Sequence, residues 1–284
     1  MSDIFHKLEN YKPIVELLKK WDAFSSNINK KPVNMPIIIP DMIWKTPAGI
    51  GKTQLLNLIA EHLYEKNNIM PFYGDVKFFE FYLEYCEPGT PFKEIQRLMN
   101  EVQVAAGFRN EYCGIVHIDV NEWVYRSKEK HFLTFLEYLS ENSDNWLIVL
   151  SMSKNKDTKE IEAIINSYLR IETIVIDMPE TKEFVDVCCE YLSKYDIILL
   201  GDARNLLEKT IDRLKENKYF DGFKTVRRLC QDIVYDMYSR ENEVKKLLTA
   251  DDLKEFSSDS NYTSYILENA KIKIGFSLGD SDND

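Results

Sequence analysis

The stretch 44–54, Trp-Lys-Thr-Pro-Ala-Gly-Ile-Gly-Lys-Thr-Gln, constrains this chain more than any other. Two glycines precede Lys52 and Thr53, and the apolar run Leu55, Leu56, Leu58 and Ile59 follows, so the segment reads as a turn that opens a helix. A glycine-rich turn lets backbone N–H groups converge on an anion. The helix N-terminus adds partial positive charge at the same point. In such a turn Lys52 reaches the outer phosphates of a nucleoside triphosphate, and the Thr53 hydroxyl is set to ligate Mg2+. The full phosphate-loop pattern asks for glycine at position 46, where this chain has Thr46. A β-branched residue narrows the backbone geometry there.

A second run carries complementary chemistry. Gly114-Ile115-Val116-His117-Ile118-Asp119 is a buried-strand pattern that ends in a carboxylate, 67 residues after Lys52. That separation leaves room for a helix, a strand and a second helix. Asp119 is thereby expected at the carboxyl end of a central parallel strand, the edge at which open α/β sheets bind ligands. There it would hold Mg2+ directly or through water. His117, inside the run, reads as a core residue and not as a ligand.

Pro47-Ala48-Gly49-Ile50-Gly51-Lys52-Thr53 resembles the P-x-G-x-G-K-T loop of AAA+ ATPases, and its pairing with Asp119 resembles the Walker A and Walker B motifs of that family. The resemblance covers about residues 36–240. It implies an α/β fold, a three-layer P-loop NTPase core with a five-stranded parallel sheet and a small helical lid after it. It also implies ATP and Mg2+ as cofactors, with Pro47 to Gln54 (Pro47, Ala48, Gly49, Ile50, Gly51, Lys52, Thr53, Gln54) against the nucleotide and with Thr53 and Asp119 serving the metal. The family couples ATP binding and hydrolysis to remodelling of a protein or nucleic-acid partner, often within a homo-oligomer.

The resemblance also points to catalytic positions. AAA+ enzymes usually follow the aspartate with a water-activating glutamate, but here Val120, Asn121 and Glu122 follow Asp119. Either Glu122 takes the base role or hydrolysis is weak. In the second case the chain is a nucleotide-gated interaction or regulatory module. Ser151 or Ser153, after the apolar run Trp146–Leu150, matches the place of the sensor-1 residue. Both also suit a plain strand-end turn. Arg170 matches an arginine finger that reaches a neighbouring subunit's γ-phosphate; it equally suits a helix C-terminus favoured by the dipole. Gly222-Phe223-Lys224-Thr225-Val226-Arg227-Arg228 is similar to the sensor-2 helix start of Clp-type and Rubisco-activase-like members, roughly G-x-x-R-x-x-R. Lys224 and Arg227 fill its basic positions, or form a solvated basic face.

Four regions are expected: an N-terminal helix and linker over 1–35, the α/β core over 36–179, a helical lid over 180–250, and a C-terminal segment over 251–284. Strands are predicted near 41–45, 76–81, 114–119, 146–150 and 173–178. The aromatic cluster Phe78, Phe79, Phe81, Tyr82 and Tyr85 reads as core, or as a substrate-gripping loop. Past Pro179 three helical faces follow with no clear strand. A short packed segment with Ile272, Ile274 and Phe276 precedes an acidic, disordered tail. The net charge of −11 disfavours general nucleic-acid binding. With no run of 18 apolar residues and no h-region at the start, neither a membrane span nor a secretion signal is expected, and the cytoplasm is the expected location. Five cysteines without a C-x-x-C pair read as reduced thiols, and the four histidines show no metal spacing.

Overall fold

The computed structural model describes residues 8, 11–28, 39–65, 72–82, 90–106, 112–217, 219–239 and 247–257. The chain divides into two compact units, 1–178 and 179–284. Among the described residues no helix is long and apolar enough to cross a membrane. The expected packed segment around Ile272 and the acidic tail lie outside the described residues.

In the first unit, α1 (Lys12–Ile28) is followed by β1 (Asp41–Thr46), α2 (Lys52–Glu65), β2 (Phe72–Tyr82) and α3 (Thr90–Ala106). Then come β3 (Tyr112–Asp119), a 3-10 turn (Asn121–Trp123), α4 (Lys130–Asn142), β4 (Trp146–Ser153), α5 (Lys159–Tyr168) and β5 (Ile171–Val175). All five strands are parallel, in the order β2-β3-β4-β1-β5. α1 and α3 each carry a proline, Pro13 and Pro91, in the first turn, where a missing N–H costs no intrahelical bond. The fifth strand starts at Ile171 rather than at Thr173. Arg170 therefore lies beside the beginning of a strand, with its carbonyl accepting a 3.0 Å bond from Asp41 N.

Parallel strands covered on both faces need apolar residues at every position. β4, central in the sheet, is buried from Trp146 to Met152, whereas edge strand β5 leaves Val175 exposed. Successive side chains alternate between faces. Met42, Trp44, Ile115, Leu147 and Val149 join the cluster of α1 and α2, through Ile14, Leu18, Leu56 and Ile59. Ile43, Val116, Ile118, Ile148 and Leu150 join that of α3, α4 and α5, through Met99, Phe135 and Ile161. α1 is thus part of the core rather than an appendage. Phe79 and Phe81 are strand residues packed on the second cluster, Phe79 edge-on to Trp146 at 5.9 Å, so the gripping-loop reading of these two is corrected. The side chains of Phe78 and Tyr82, and Tyr85 entirely, fall outside the described residues.

The second unit packs α6 (Thr181–Ser193), α7 (Gly201–Lys215) and α8 (Gly222–Ser239) through Phe184, Leu207, Ile211, Val226 and Ile233. Phe184 meets Phe223 at 4.7 Å and Phe220 at 5.5 Å, both edge-on. The unit also holds a two-residue parallel ladder where the sequence shows no strand pattern: β6 (Ile198–Leu199) pairs with β7 (Leu247–Leu248). Two residues carry no periodicity for a sequence reading to find.

Candidate functional site

Thr46 does not enter the loop. It is the last residue of β1, buried and registered with Ser153 of β4. A β-branched residue suits that pleated position. The turn proper starts at Pro47. Gly49 has φ 72° and Gly51 φ 78°, in the left-handed region, so the two glycines supply the conformations that other residues resist. Ile50 anchors the loop from below: its side chain is buried with α1 and α2, and Tyr11 Oη donates to its carbonyl at 3.1 Å. The Gly51 carbonyl accepts from Leu55 N at 3.0 Å, which starts α2. Ala48 in the turn, and Thr53 and Gln54 in the first turn of α2, are exposed.

Lys52, the first residue of α2, reaches over the carboxyl ends of β3 and β4. Its Nζ donates to Asp119 Oδ2 at 2.8 Å and to Ser151 Oγ at 3.1 Å. Asp119 and Ser151 are register partners, so sheet geometry puts them side by side. Ser151 Oγ also approaches Asp119 Oδ2, at 3.3 Å. Asp119 Oδ1 accepts from the backbone N of Asn121 at 3.0 Å and from Asn121 Nδ2 at 2.7 Å. Asn121 Oδ1 in turn accepts from Ser153 N at 2.6 Å, which ties the end of β3 to the end of β4. Burial is the largest influence on Asp119 and pushes its pKa up. The Lys52 charge, the Lys52 hydrogen bond and the Asn121 N–H groups outweigh it, and the carboxyl sits below its ordinary value.

A further carboxylate closes the arrangement. Glu80 of β2 is the register partner of His117, two positions before Asp119 on the same face. His117 Nδ1 lies 2.9 Å from Glu80 Oε1, and His117 Nε2 lies 2.8 Å from Ser151 Oγ. Thr53 Oγ1 donates to Glu80 Oε2 at 2.8 Å. The hydrogen bond from His117 lowers the Glu80 pKa most. Burial opposes it, and the Thr53 hydroxyl and the charge of Lys52 add to the lowering. Lys52 and Thr53, neighbours in sequence, are therefore joined by a polar circuit through β4, β3 and β2. His117 is buried as expected, yet it faces this circuit and not bare core.

The other sequence candidates are placed as follows. Ser151 belongs to the circuit. Ser153 sits at the strand end, where its Oγ accepts from Asn155 N at 3.3 Å. Glu122 is exposed on the 3-10 turn between buried Val120 and buried Trp123. Exposed Arg170 stands at the amino edge of the sheet, about 16 Å along β1 from Thr46 at roughly 3.3 Å per residue. Lys224 and Arg227 occupy the first two turns of α8, in the second unit. Both are exposed, with Lys224 Nζ 3.8 Å from Asp221 Oδ2. Glu80, Asn121 and Tyr11 were not singled out from the sequence. Among the described residues no group of three or more His, Cys, Asp or Glu forms a metal cage of its own.

No protein-family model and no curated protein matches this sequence. Solved structures do. A Thermotoga maritima RuvB point mutant superposes with a TM-score of 0.56 at 13% identity, over 86% of this chain and 68% of that one. The Thermotoga maritima RuvB Holliday junction branch migration motor gives 0.54 at 13% identity, over 85% and 67%. The AAA domain of FIGL-1 gives 0.52 at 14% identity, over 84% and 78%. Identities this low carry the fold alone, and that fold, with its parallel 2-3-4-1-5 sheet, is the AAA+ ATPase fold.

Proposed function

We propose that the chain binds Mg-ATP at this loop and hydrolyses it slowly, coupling the cycle to remodelling of a macromolecular partner. One observation carries the reading: a lysine at the start of a helix, below a turn with two left-handed glycines, converges on an aspartate and a serine at the carboxyl ends of neighbouring strands. The donor set fits the ligand. The loop and the α2 N-terminus suit an anion, and Lys52 supplies the charge for the β- and γ-phosphates. Thr53 and Asp119 suit Mg2+, which is held by few protein oxygens together with phosphates and water. Bound there, the ion would neutralise charge on the outer phosphates. Asp119 Oδ1 is already held by Asn121, so Oδ2 is the oxygen that becomes free when Lys52 turns toward phosphate. Pro47 to Gln54 form the cradle, and Ser151 steadies the Lys52 ammonium.

Arg170, at the amino edge, is too far along β1 to serve its own loop. A finger role therefore requires another copy of the chain. In that case ATP promotes oligomers, and Arg170→Ala lowers turnover without lowering nucleotide affinity. Light scattering with and without ATP, beside steady-state hydrolysis, tests it. Lys224 and Arg227 are the sensor-2 candidates on the same reading. A net charge of −11 weighs toward a protein partner over a nucleic acid. Val120 favours a second reading, a nucleotide-gated interaction module with little or no hydrolysis, because a valine cannot polarise water.

The test is a titration of a fluorescent ATP analogue, with Mg2+, against wild type and Lys52→Ala. Affinity should fall roughly tenfold to a hundredfold in the variant, the span of about 1.5–3 kcal/mol for hydrogen bonds to charged groups. Equal affinities would sink the phosphate-loop reading.

A further inference from the structure

Glu80 has no place in the loop motifs, yet it is bonded to the residue after Lys52. β2 lies two strands away from β4 and three from β1, and still its carboxylate meets Thr53 Oγ1 at 2.8 Å. One proton arrangement satisfies every group in the circuit. Lys52 donates to Ser151 Oγ, Ser151 Oγ–H donates to His117 Nε2, and His117 Nδ1–H donates to Glu80 Oε1. Thr53 Oγ1–H donates to Glu80 Oε2. Both Glu80 oxygens are thereby fixed, one by a fully buried ring and one by the first turn of α2. Its side chain is 19% exposed, and each carboxylate oxygen, accepting one bond, has a second lone pair to offer.

Resting on the ATPase reading above, we propose that Glu80 is the carboxylate that orients the attacking water and takes its proton, with His117 as the residue that positions it. Three observations favour Glu80 over the residues after Asp119. Val120, at the position where AAA+ enzymes carry glutamate, has a fully buried side chain, and its backbone N is bonded to the Ser151 carbonyl at 2.9 Å. Glu122 is exposed on a turn. Glu80 shares the sheet face of Asp119 and Ser151 and is held at both oxygens, the condition for orienting a reactant. The step is ordinary hydrolysis. The water oxygen bonds to the γ-phosphorus as the bond from that phosphorus to the bridging oxygen breaks, and the electron pair leaves with ADP. One water proton passes to Glu80 and on to the released phosphate, which restores the carboxylate.

A carboxylate bonded to the Thr53 hydroxyl could instead serve the metal from behind. Two readouts separate the roles: equilibrium binding of Mg-ATP, and single-turnover phosphate release. For Glu80→Gln the expected result is binding near that of wild type, unhydrolysed ATP recovered with the protein, and release slower by about a hundredfold or more. Glu122→Gln should slow release less than Glu80→Gln does. His117→Phe should slow release while sparing binding, because it frees the Glu80 side chain. The proposal is overturned if Glu80→Gln releases phosphate at the wild-type rate, if it loses Mg-dependent ATP binding, or if Glu122→Gln is the more damaged. Should Glu80→Gln fail to fold, Glu80→Asp withdraws the carboxylate by one methylene. A rate equal to wild type in that variant overturns it too. A wild type that binds ATP but never releases phosphate removes this role for Glu80 and leaves nucleotide binding standing. A wild type that binds no ATP removes both.

Discussion

Asp119 and Asp41 lie at opposite edges of one sheet, both lean on β4, and both are nearly buried, at 9% and 5% exposure. Their chemistry diverges. Asp119 has a lysine ammonium on one oxygen and two N–H groups of Asn121 on the other, and its pKa is held low. Asp41 has one backbone N–H, from Ile148 at 2.9 Å, and faces the negative charge of Asp144. Burial dominates there and pushes its pKa to about 8. Asp41 is the more deeply buried and has less to offset that burial, and the two differences together set one carboxyl as a neutral acid and the other as a charge. The carboxyl edge is built to keep charges side by side, as a site for a charged ligand requires. The amino edge accommodates one carboxyl by neutralising it.

The largest expected effect follows from Asp41. Its folded pKa, about 8, lies above the ordinary value of 3.8, so between those values the folded state binds more protons and stability falls as pH rises. Asp41→Asn removes that slope. Its advantage over wild type should grow from pH 4 to pH 8 to on the order of several kcal/mol, at about 1.36 kcal/mol per pKa unit. Urea unfolding across that range measures it. A constant difference would mean that the two aspartates do not differ as described.

Asp119→Asn should behave in the opposite sense. The pair with Lys52 stabilises the fold above the ordinary carboxylate range, and that contribution is lost as pH falls through the lowered folded pKa. At neutral pH the substitution should cost about 1.5–3 kcal/mol, the range for a hydrogen bond to a charged group. The cost should shrink in acid. Denaturant midpoints at neutral and acid pH check both the size and the trend.

Thr46→Gly probes the boundary between sheet and loop. Because Thr46 is a buried strand residue, glycine there should cost at least about 0.5–1 kcal/mol of stability, the backbone share alone, and leave nucleotide affinity unchanged. A gain in affinity would show that the loop begins one residue earlier than the structure places it.

Much of the carboxyl edge was legible in the sequence. Gly49, Gly51, Lys52 and Thr53 announce the turn because each residue type is tied to a backbone or ligand demand. Asp119 follows from an apolar run that stops at a carboxylate. Glu80 and Tyr11 were not legible. Glu80 is one polar residue in an aromatic strand, and only the β2–β3 register brings it beside His117. Tyr11 reaches Ile50 across 39 residues, a contact no local pattern encodes. His117 reads as core because a buried strand predicts burial and says nothing of which side chains share its face. The strand order that joins β1 to β4 is likewise a long-range fact.

The most direct test of the account compares the two edges for ligand. ATP is titrated calorimetrically into wild type, Asp119→Asn and Asp41→Asn, each with and without Mg2+. The account predicts binding by wild type and by Asp41→Asn alike, with Mg2+ strengthening both, and a loss of that strengthening in Asp119→Asn. Mg2+-strengthened binding that survives unchanged in Asp119→Asn, or no binding by wild type, would contradict it.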